Sequence, residues 1–205
     1  MYIIEKETLG ETWLEAMKLV MSKGENIMDE TVLLREIQNL YVRIENIFEN
    51  DSILKRFADY ERIQLMKEKY ATCGLVGDYK MDYGSRIYNN NGINQIEWII
   101  DRMKKKEETK SATITLHIPG EELLPCLSML DFKYRNGVLD MNAVYRSQNI
   151  FWSHPGNMLA LRQIQKDVAD ALGWNMGKVN LVVFSAHIYE SDFEKVTEII
   201  EASSY

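Results

Sequence analysis

The dipeptide Asn136-Gly137 constrains the fold of this chain more than any other local feature of the sequence. Residues 126–134 precede it and residues 138–146 follow it, and both stretches have the pattern of β-strands. Asn and Gly tolerate positive φ, which the tight two-residue turns of hairpins require. The second half of the chain is therefore predicted to contain an antiparallel hairpin.

Hydrophobic periodicity and capping signals predict the remaining elements. Thr8 with Glu11 forms a capping box for the first helix, and Ser191 is the predicted N-cap of the last. The irregular stretch 72–91 is rich in Gly, Tyr and Asn, as a segment lining a site can be. The fold class is α+β, with a mostly antiparallel sheet packed with helices. Helices are predicted over 8–24, 52–70, 93–106, 157–173 and 191–202, and further strands over 36–46, 112–118 and 181–188.

The composition of the 205 residues bounds the class of protein. A hydrophobic content of 46% supports one sizeable core, so one domain over residues 1–205 is predicted. The net charge of -7 argues against a nucleic-acid partner. Two cysteines give no disulfide framework and indicate a reducing compartment. No apolar run approaches the roughly 20 residues of a membrane span, so a soluble cytoplasmic protein is expected.

Cys126 is the candidate nucleophile. A thiolate adds well to a polarised carbon–carbon double bond, although a single cysteine is more often a buried apolar residue. The sequence predicts no metal site, because His117, His154 and His187 are far apart in the chain and none belongs to an HExxH or CxxC motif.

Five further residues are candidates for binding a nucleotide. The guanidinium of Arg146 and the hydroxyl of Ser147 suit a phosphate, although a strand-end arginine in solvent is the simpler interpretation. Asn157 is either a helix N-cap or a reader of the uracil edge. His187 and Tyr189 are two apart on a predicted strand and face the same way, either to hold sugar hydroxyls or as ordinary strand-end polar groups.

Taken together, these residues resemble the thymidylate synthase family, and order and spacing both agree. The compact archaeal-type members are the most similar in layout, and pyrimidine nucleotide hydroxymethylases are related to them. Weaker matches lie at Asp82-Tyr83-Gly84 and Asn94-Gln95-Ile96. The main matches are Leu124-Pro125-Cys126, the hairpin at Asn136-Gly137, Tyr145-Arg146-Ser147, Pro155-Gly156-Asn157 and His187-Ile188-Tyr189.

The resemblance implies a role for each site residue. Cys126 would add to C6 of dUMP, and 5,10-methylenetetrahydrofolate would supply the one-carbon unit to C5. Glu61 would be the catalytic glutamate, while Asn149 and Tyr83 would face the folate. A homodimer is implied, with Lys110 of the partner chain helping to bind the phosphate. The remaining substrate contacts would be phosphate at Arg146 and Ser147, the base at Asn157, and the sugar at His187 and Tyr189.

Several positions depart from the pattern of the family. Thr109-Lys110-Ser111-Ala112 lacks the paired arginines, Leu127 replaces a histidine, and Asn149 replaces the aspartate that usually contacts the pterin. The chain also ends at Tyr205, without the long C-terminal segment of the larger members. Three functions therefore stay open: thymidylate synthesis, hydroxymethylation of a pyrimidine nucleotide, and nucleotide binding without catalysis.

Overall fold

The computed structural model describes residues 1–203, and its centre is one mixed sheet of eight strands. The strands are β1 (Tyr2–Thr8), β2 (Glu25–Asp29), β3 (Val32–Asn46), β4 (Thr113–Thr115), β5 (Leu127–Arg135), β6 (Val138–Tyr145), β7 (Gln148–Asn149) and β8 (Asn175–Tyr189). The helices are α1 (Leu9–Lys23), α2 (Ser52–Phe57), α3 (Tyr60–Ala71), α4 (Tyr83–Tyr88), α5 (Gln95–Lys105), α6 (His154–Leu172) and α7 (Phe193–Ala202). The predicted α+β class is confirmed.

The sheet runs in the order β1-β3-β8-β6-β5-β4, with β2 beside β3 and β7 beside β8. Antiparallel pairing joins β2 to β3, β3 to β8, β4 to β5 and β5 to β6. Parallel pairing joins β1 to β3, and both β6 and β7 to β8. The parallel pairing places the C-terminal ends of β6, β7 and β8 at one edge, where loop side chains can converge.

The predicted hairpin is present and joins β5 to β6. Asn136 has a φ of 53° and Gly137 a φ of 83°, the positive values that a tight hairpin turn needs. The capping box of the first helix is also present: Thr8 accepts from the Glu11 amide, and the Glu11 carboxylate accepts from the Thr8 amide. Both features rest on local chemistry, which is why the sequence predicts them.

Three predicted helix boundaries are wrong. The helix expected over 52–70 is two helices, because Asp51 caps α2 and Asp59 caps α3. The last helix begins at Phe193 after a 3₁₀ turn at Glu190–Asp192, so Ser191 is not its N-cap. Asn157 does not open α6, which begins at His154 with Pro155 in its first turn. Asn157 instead lies one turn inside, where its backbone N–H donates to the carbonyl of Ser153 at 2.9 Å.

Two packing contacts fix the elements that surround the sheet edge. Trp13 of α1 is buried, and its indole Nε1 donates to the carbonyl of Ile150 at 2.9 Å, which holds the chain just after β7. Gly156 of α6 lies so close to α3 that a Cβ there would stand 2.6 Å from the Cβ of Met66. Helices α3 and α6 therefore approach at a point that admits only glycine. Within residues 1–203, no helix is both long and apolar enough to cross a membrane.

Candidate active site

A cavity of about 600 Å³ lies at the edge of the sheet where β6, β7 and β8 end. Strands β2 and β3 form one wall, and α3 and the start of α6 form the other. Such a volume is typical of small-molecule sites. Its polar lining consists of Asp29, Glu36, Arg62, Cys126, Arg146, Ser147, Asn149, Ser153, Ser185, His187 and Tyr189.

Cys126 is half-buried at the entry to β5. Its backbone N–H donates to the hydroxyl of Tyr83 at 2.9 Å, and its carbonyl accepts from the Arg146 amide at 2.8 Å. The Ser147 hydroxyl lies 3.5 Å from the thiol sulfur and donates to it. The backbone of Cys126 is thus fixed on both sides while its sulfur lies in the wall of the cavity.

Arg146 ties the loop before Cys126 to the end of β6. Its Nε donates to the carbonyl of Pro125 at 3.1 Å, and its Nη2 donates to the carbonyl of Leu124 at 2.9 Å. Its Nη1 donates to the hydroxyl of Ser147 at 3.3 Å. The guanidinium is exposed, and these bonds hold its plane beside the hydroxyl with which it is expected to act.

His187 and Tyr189 both line the cavity from β8, as their spacing predicts. Their rings meet edge to face with centroids 5.2 Å apart. Burial lowers the pKa of His187, so the imidazole is neutral at pH 7, and its Nδ1 is buried without a hydrogen-bond partner. Burial also raises the pKa of Tyr189, which keeps its hydroxyl protonated. The Tyr189 hydroxyl can therefore donate to or accept from a ligand hydroxyl, and the neutral His187 ring has one donor and one acceptor nitrogen, set by its tautomer.

Asn149 lines the cavity because β7 pairs with β8, which places it opposite His187. Its side-chain Oδ1 accepts from the Trp152 amide at 3.0 Å. The oxygen is therefore engaged by the backbone, and the Nδ2 amide group is left to face a ligand. A carboxamide held in this way keeps a fixed orientation, with the Nδ2 donors unbonded within residues 1–203 and one lone pair of Oδ1 already used.

Four predicted site residues lie outside the lining of the cavity. Asn157 is buried in α6, and Tyr83 is buried behind the backbone of Cys126. Glu61 is exposed in the first turn of α3, and Lys110 is exposed before β4. The structure thus brings together the nucleophile, phosphate and sugar candidates on one cavity, whereas the candidates for the base and for proton transfer do not line it.

A cluster of buried tyrosines lies behind Cys126 and encloses an ammonium group. The hydroxyls of Tyr70 and Tyr145 are 2.9 Å apart, and the ring of Tyr70 stacks on that of Tyr83 with centroids 4.9 Å apart. The Nζ of Lys69 lies 4.1 Å from the ring centroid of Tyr79 and 4.3 Å from that of Tyr83. Burial lowers the pKa of Lys69 to about 8, and the charge of Cys126 opposes this shift.

The sequence analysis misses Arg62, which lines the cavity, and Lys69, which lies in the tyrosine cluster behind Cys126. It also misses four polar residues of the lining: Asp29, Glu36, Ser153 and Ser185. Arg62 and Lys69 are seven residues apart on α3 and share a face with buried Ile63, Met66 and Tyr70. Charges within a buried helical stripe are the signal that could have indicated them. No group of three or more His, Cys, Asp or Glu residues that could hold a metal ion occurs within residues 1–203.

Comparison with known proteins places the chain in a family. The family model described as "Thymidylate synthase" matches residues 15–205. A protein of Methanothermobacter thermautotrophicus named "Putative thymidylate synthase" is 30% identical over 219 residues, which cover 98% of this chain and 99% of that protein. A protein of the same name from Methanococcoides burtonii is 28% identical over 205 residues, covering 97% and 94%. The chain therefore belongs to the thymidylate synthase family.

Proposed function

We propose that the protein transfers a one-carbon unit from 5,10-methylenetetrahydrofolate to C5 of dUMP, through an adduct of Cys126 at C6. The observation that carries the proposal is the position of the Cys126 thiol in the wall of a cavity that also holds Arg146, Ser147, His187 and Tyr189. A nucleophile, an anion-binding pair and two hydroxyl-binding groups on one cavity match the parts of a pyrimidine nucleotide. Family membership supports the same reaction.

The roles follow from the chemistry of each side chain. Arg146 and Ser147 bind the phosphate, since a guanidinium beside a hydroxyl suits an oxyanion. The neutral imidazole of His187 and the hydroxyl of Tyr189 bind the sugar hydroxyls. Asn157 is proposed to read the uracil edge, the role that the resemblance implies, although its side chain is buried in α6 outside the lining of the cavity.

The chemical step needs a thiolate and a proton carrier. The Cys126 thiolate adds to C6 and breaks the C5–C6 double bond, and the resulting enolate makes C5 nucleophilic. The folate supplies the methylene group and, for thymidylate, the hydride that reduces it. Loss of the C5 proton, with departure of the folate nitrogen from the methylene carbon, would leave an exocyclic methylene at C5. Addition of the hydride to that methylene would re-form the C5–C6 double bond and expel the Cys126 thiolate from C6. Glu61 is the proposed proton carrier, and Tyr83 and Asn149 face the folate.

We also propose a single thymidylate synthase-like domain over residues 1–205 that acts as a homodimer in the cytoplasm. The exposure of Phe184 in the middle of the central strand β8, at 50%, supports a partner subunit on the open face of the sheet. Lys110 of the partner chain would reach the phosphate in such a dimer.

Tritium release tests the reaction. Protein incubated with methylenetetrahydrofolate and dUMP labelled at C5 should release tritium, and Cys126→Ala should abolish the release. Cys73→Ala is the matched control, because Cys73 is exposed and lies outside the lining of the cavity. Chromatography of the product separates thymidylate from the hydroxymethyl nucleotide.

Adduct formation tests the nucleophile. With 5-fluoro-dUMP and methylenetetrahydrofolate, mass spectrometry should find a covalent adduct on Cys126. An adduct on Cys73, or tritium release by Cys126→Ala, would contradict the mechanism. Binding of dUMP without tritium release would indicate a relative that binds nucleotide and has lost catalysis.

A further inference from the structure

Arg62 is a second guanidinium in the wall of the cavity, and it forms no ion pair with a carboxylate of residues 1–203. It lines the same cavity as Cys126 from the first turn of α3. Its Nε is also buried without a hydrogen-bond partner among these residues. A buried donor left unsatisfied costs about 1–3 kcal/mol, more for a charged group. Such a cost is expected where a ligand later supplies the acceptor.

Aromatic rings hold this guanidinium in place. Its Cζ lies 5.4 Å from the ring centroid of Trp152 and 5.9 Å from that of Tyr79. The Arg62 backbone is fixed as well, because its N–H donates to the capping carboxylate of Asp59 at 3.0 Å. Rings position a guanidinium while leaving all of its N–H groups free, so Arg62 is prepared for an acceptor that the protein does not provide.

Arg146 differs from Arg62 in this respect. The Nε, Nη1 and Nη2 of Arg146 all donate to protein oxygens, two of them backbone carbonyls. Its charge is available to a ligand, but several of its donors are already used. The two arginines of the cavity therefore differ in how many of their donors are bonded: three nitrogens of Arg146 donate to protein oxygens, whereas the Nε of Arg62 has no partner within residues 1–203.

The surroundings of Arg62 contain hydrogen-bond donors and further cations, together with the Asp59 carboxylate that caps α3. Asn149 lines the same cavity, where its Nδ2 donors are unbonded among the described residues and its Oδ1 accepts from the Trp152 amide. The Nζ of Lys195 lies 5.0 Å from the ring centroid of Trp152, one of the two rings that contact Arg62. The charge of Arg62 itself contributes to the lowered pKa of Lys69, after burial as the main cause. The carboxylates of the cavity, Asp29 and Glu36, belong to β2 and β3.

We propose that Arg62 is the centre of a second anion-binding subsite, separate from Arg146 and Ser147, which takes a carboxylate or other anionic oxygen group of the second substrate. A guanidinium whose buried Nε lacks a partner in the described part of the chain, in the same cavity as the Nδ2 donors of Asn149, is complementary to such a group and not to an amino group. The assignment to the one-carbon donor rests on the proposed function. The existence of the anion subsite does not depend on the proposed function.

Nuclear magnetic resonance of the arginine Nε–H groups tests the subsite in the unaltered protein. The protein is first saturated with dUMP, which occupies the Arg146 subsite, and inorganic phosphate is then added. The Nε–H resonance of Arg62 should move and saturate with added phosphate. The Nε–H resonance of Arg102 is the internal control, because Arg102 also lies on a ring, 4.9 Å from the centroid of Trp98, but is exposed on α5.

Calorimetry with variants tests which ligand uses the subsite. Arg62→Gln should weaken binding of tetrahydrofolate to the dUMP complex by at least about tenfold, the loss expected for one desolvated charged contact. It should change binding of dUMP by less than about twofold, and Arg102→Gln should change neither. Arg62→Lys should recover part of the loss, since it restores the charge without the planar fork.

The outcomes separate the subsite from the proposed function. An Arg62 resonance that phosphate leaves unmoved would overturn the subsite. A response of that resonance to dUMP but not to deoxyuridine would show that Arg62 serves the nucleotide phosphate, which would refute a separate subsite. A response to phosphate with no tetrahydrofolate binding to any form would refute the assignment to the one-carbon donor, and the proposed reaction with it, while supporting the anion subsite.

Discussion

Replacing Lys69 with methionine should make the protein more stable at neutral pH, although it removes charge from the interior of the site. Lys69 is 9% exposed, and no carboxylate within residues 1–203 forms an ion pair with it. Burial lowers its pKa from 10.5 to about 8, with the charge of Arg62 adding to the effect. The folded protein therefore carries an ammonium group at pH 7 that its surroundings disfavour.

The magnitude follows from the size of the pKa shift. A shift from 10.5 to about 8 corresponds to roughly 3 kcal/mol of free energy of unfolding lost at pH 7. The Lys69→Met variant also loses the contacts of the ammonium with the rings of Tyr79 and Tyr83, each of which contributes about 0.5–1 kcal/mol to the free energy of unfolding. Lys69→Met should therefore raise the free energy of unfolding at pH 7 by about 1–2 kcal/mol.

The gain should disappear at alkaline pH. Because the pKa is lower in the folded chain, the unfolded chain holds the extra proton between about pH 8 and pH 10.5, so the unaltered protein gains stability as the pH rises through this window. The advantage of Lys69→Met should thus fall to about zero or below by pH 10.5, where only the loss of the ring contacts remains.

Urea unfolding at pH 7 and pH 10, followed by circular dichroism, measures this difference. Lys67→Met is the matched control on the same helix, because Lys67 pairs with the exposed carboxylate of Glu49 and should give no gain. An advantage of Lys69→Met that stays constant with pH would refute the argument from ionisation. A variant less stable than the unaltered protein at pH 7 would show that the ammonium is stabilised by a partner.

Three further predictions concern packing and ionisation elsewhere. Burial lowers the pKa of His154 to about 4. Because the unfolded chain binds a proton at this histidine below about pH 6.5, the free energy of unfolding falls on acidification. In urea titrations, His154→Gln should therefore lose about 2 kcal/mol less free energy of unfolding between pH 7 and pH 5 than the unaltered protein. Gly156→Ala should destabilise by about 1–3 kcal/mol, because its Cβ would clash with Met66, and an unchanged melting temperature would contradict the close approach of α3 and α6. Gly173 ends α6 with a φ of 70°, so Gly173→Ala should cost about 1 kcal/mol by the same measurement, whereas a stabilised variant would exclude the left-handed cap.

Features with a local chemical cause are those that the sequence predicts well. The Asn136-Gly137 turn and the capping box of Thr8 and Glu11 depend on residues within a few positions of each other, and both are present. The position of Cys126 beside Arg146 follows from the hairpin, since the two residues flank its strands. Local signals that predict the hairpin therefore also predict that Cys126 and Arg146 lie side by side.

Features that depend on tertiary partners are not predicted. Strand β2 is exposed at every position, so no alternation of buried and exposed residues distinguishes it. The break between α2 and α3 contains neither Gly nor Pro, and it exists because Asp59 caps a new helix there. Arg62 and Lys69 resemble ordinary surface charges until α3 is packed against the rest of the site.

These two cations on α3 have different ways to relieve their unfavourable burial. Lys69 can release its proton near pH 8, whereas a guanidinium stays charged at any pH that a folded protein tolerates. The charge of Arg62 can be neutralised only by a bound anion, and that charge is one cause of the lowered pKa of Lys69. An anion bound at Arg62 would reduce that repulsion and favour the protonated form of Lys69. Because the charge of Cys126 also favours that form, occupancy of the Arg62 subsite and the charge state around the nucleophile are coupled through one helix face.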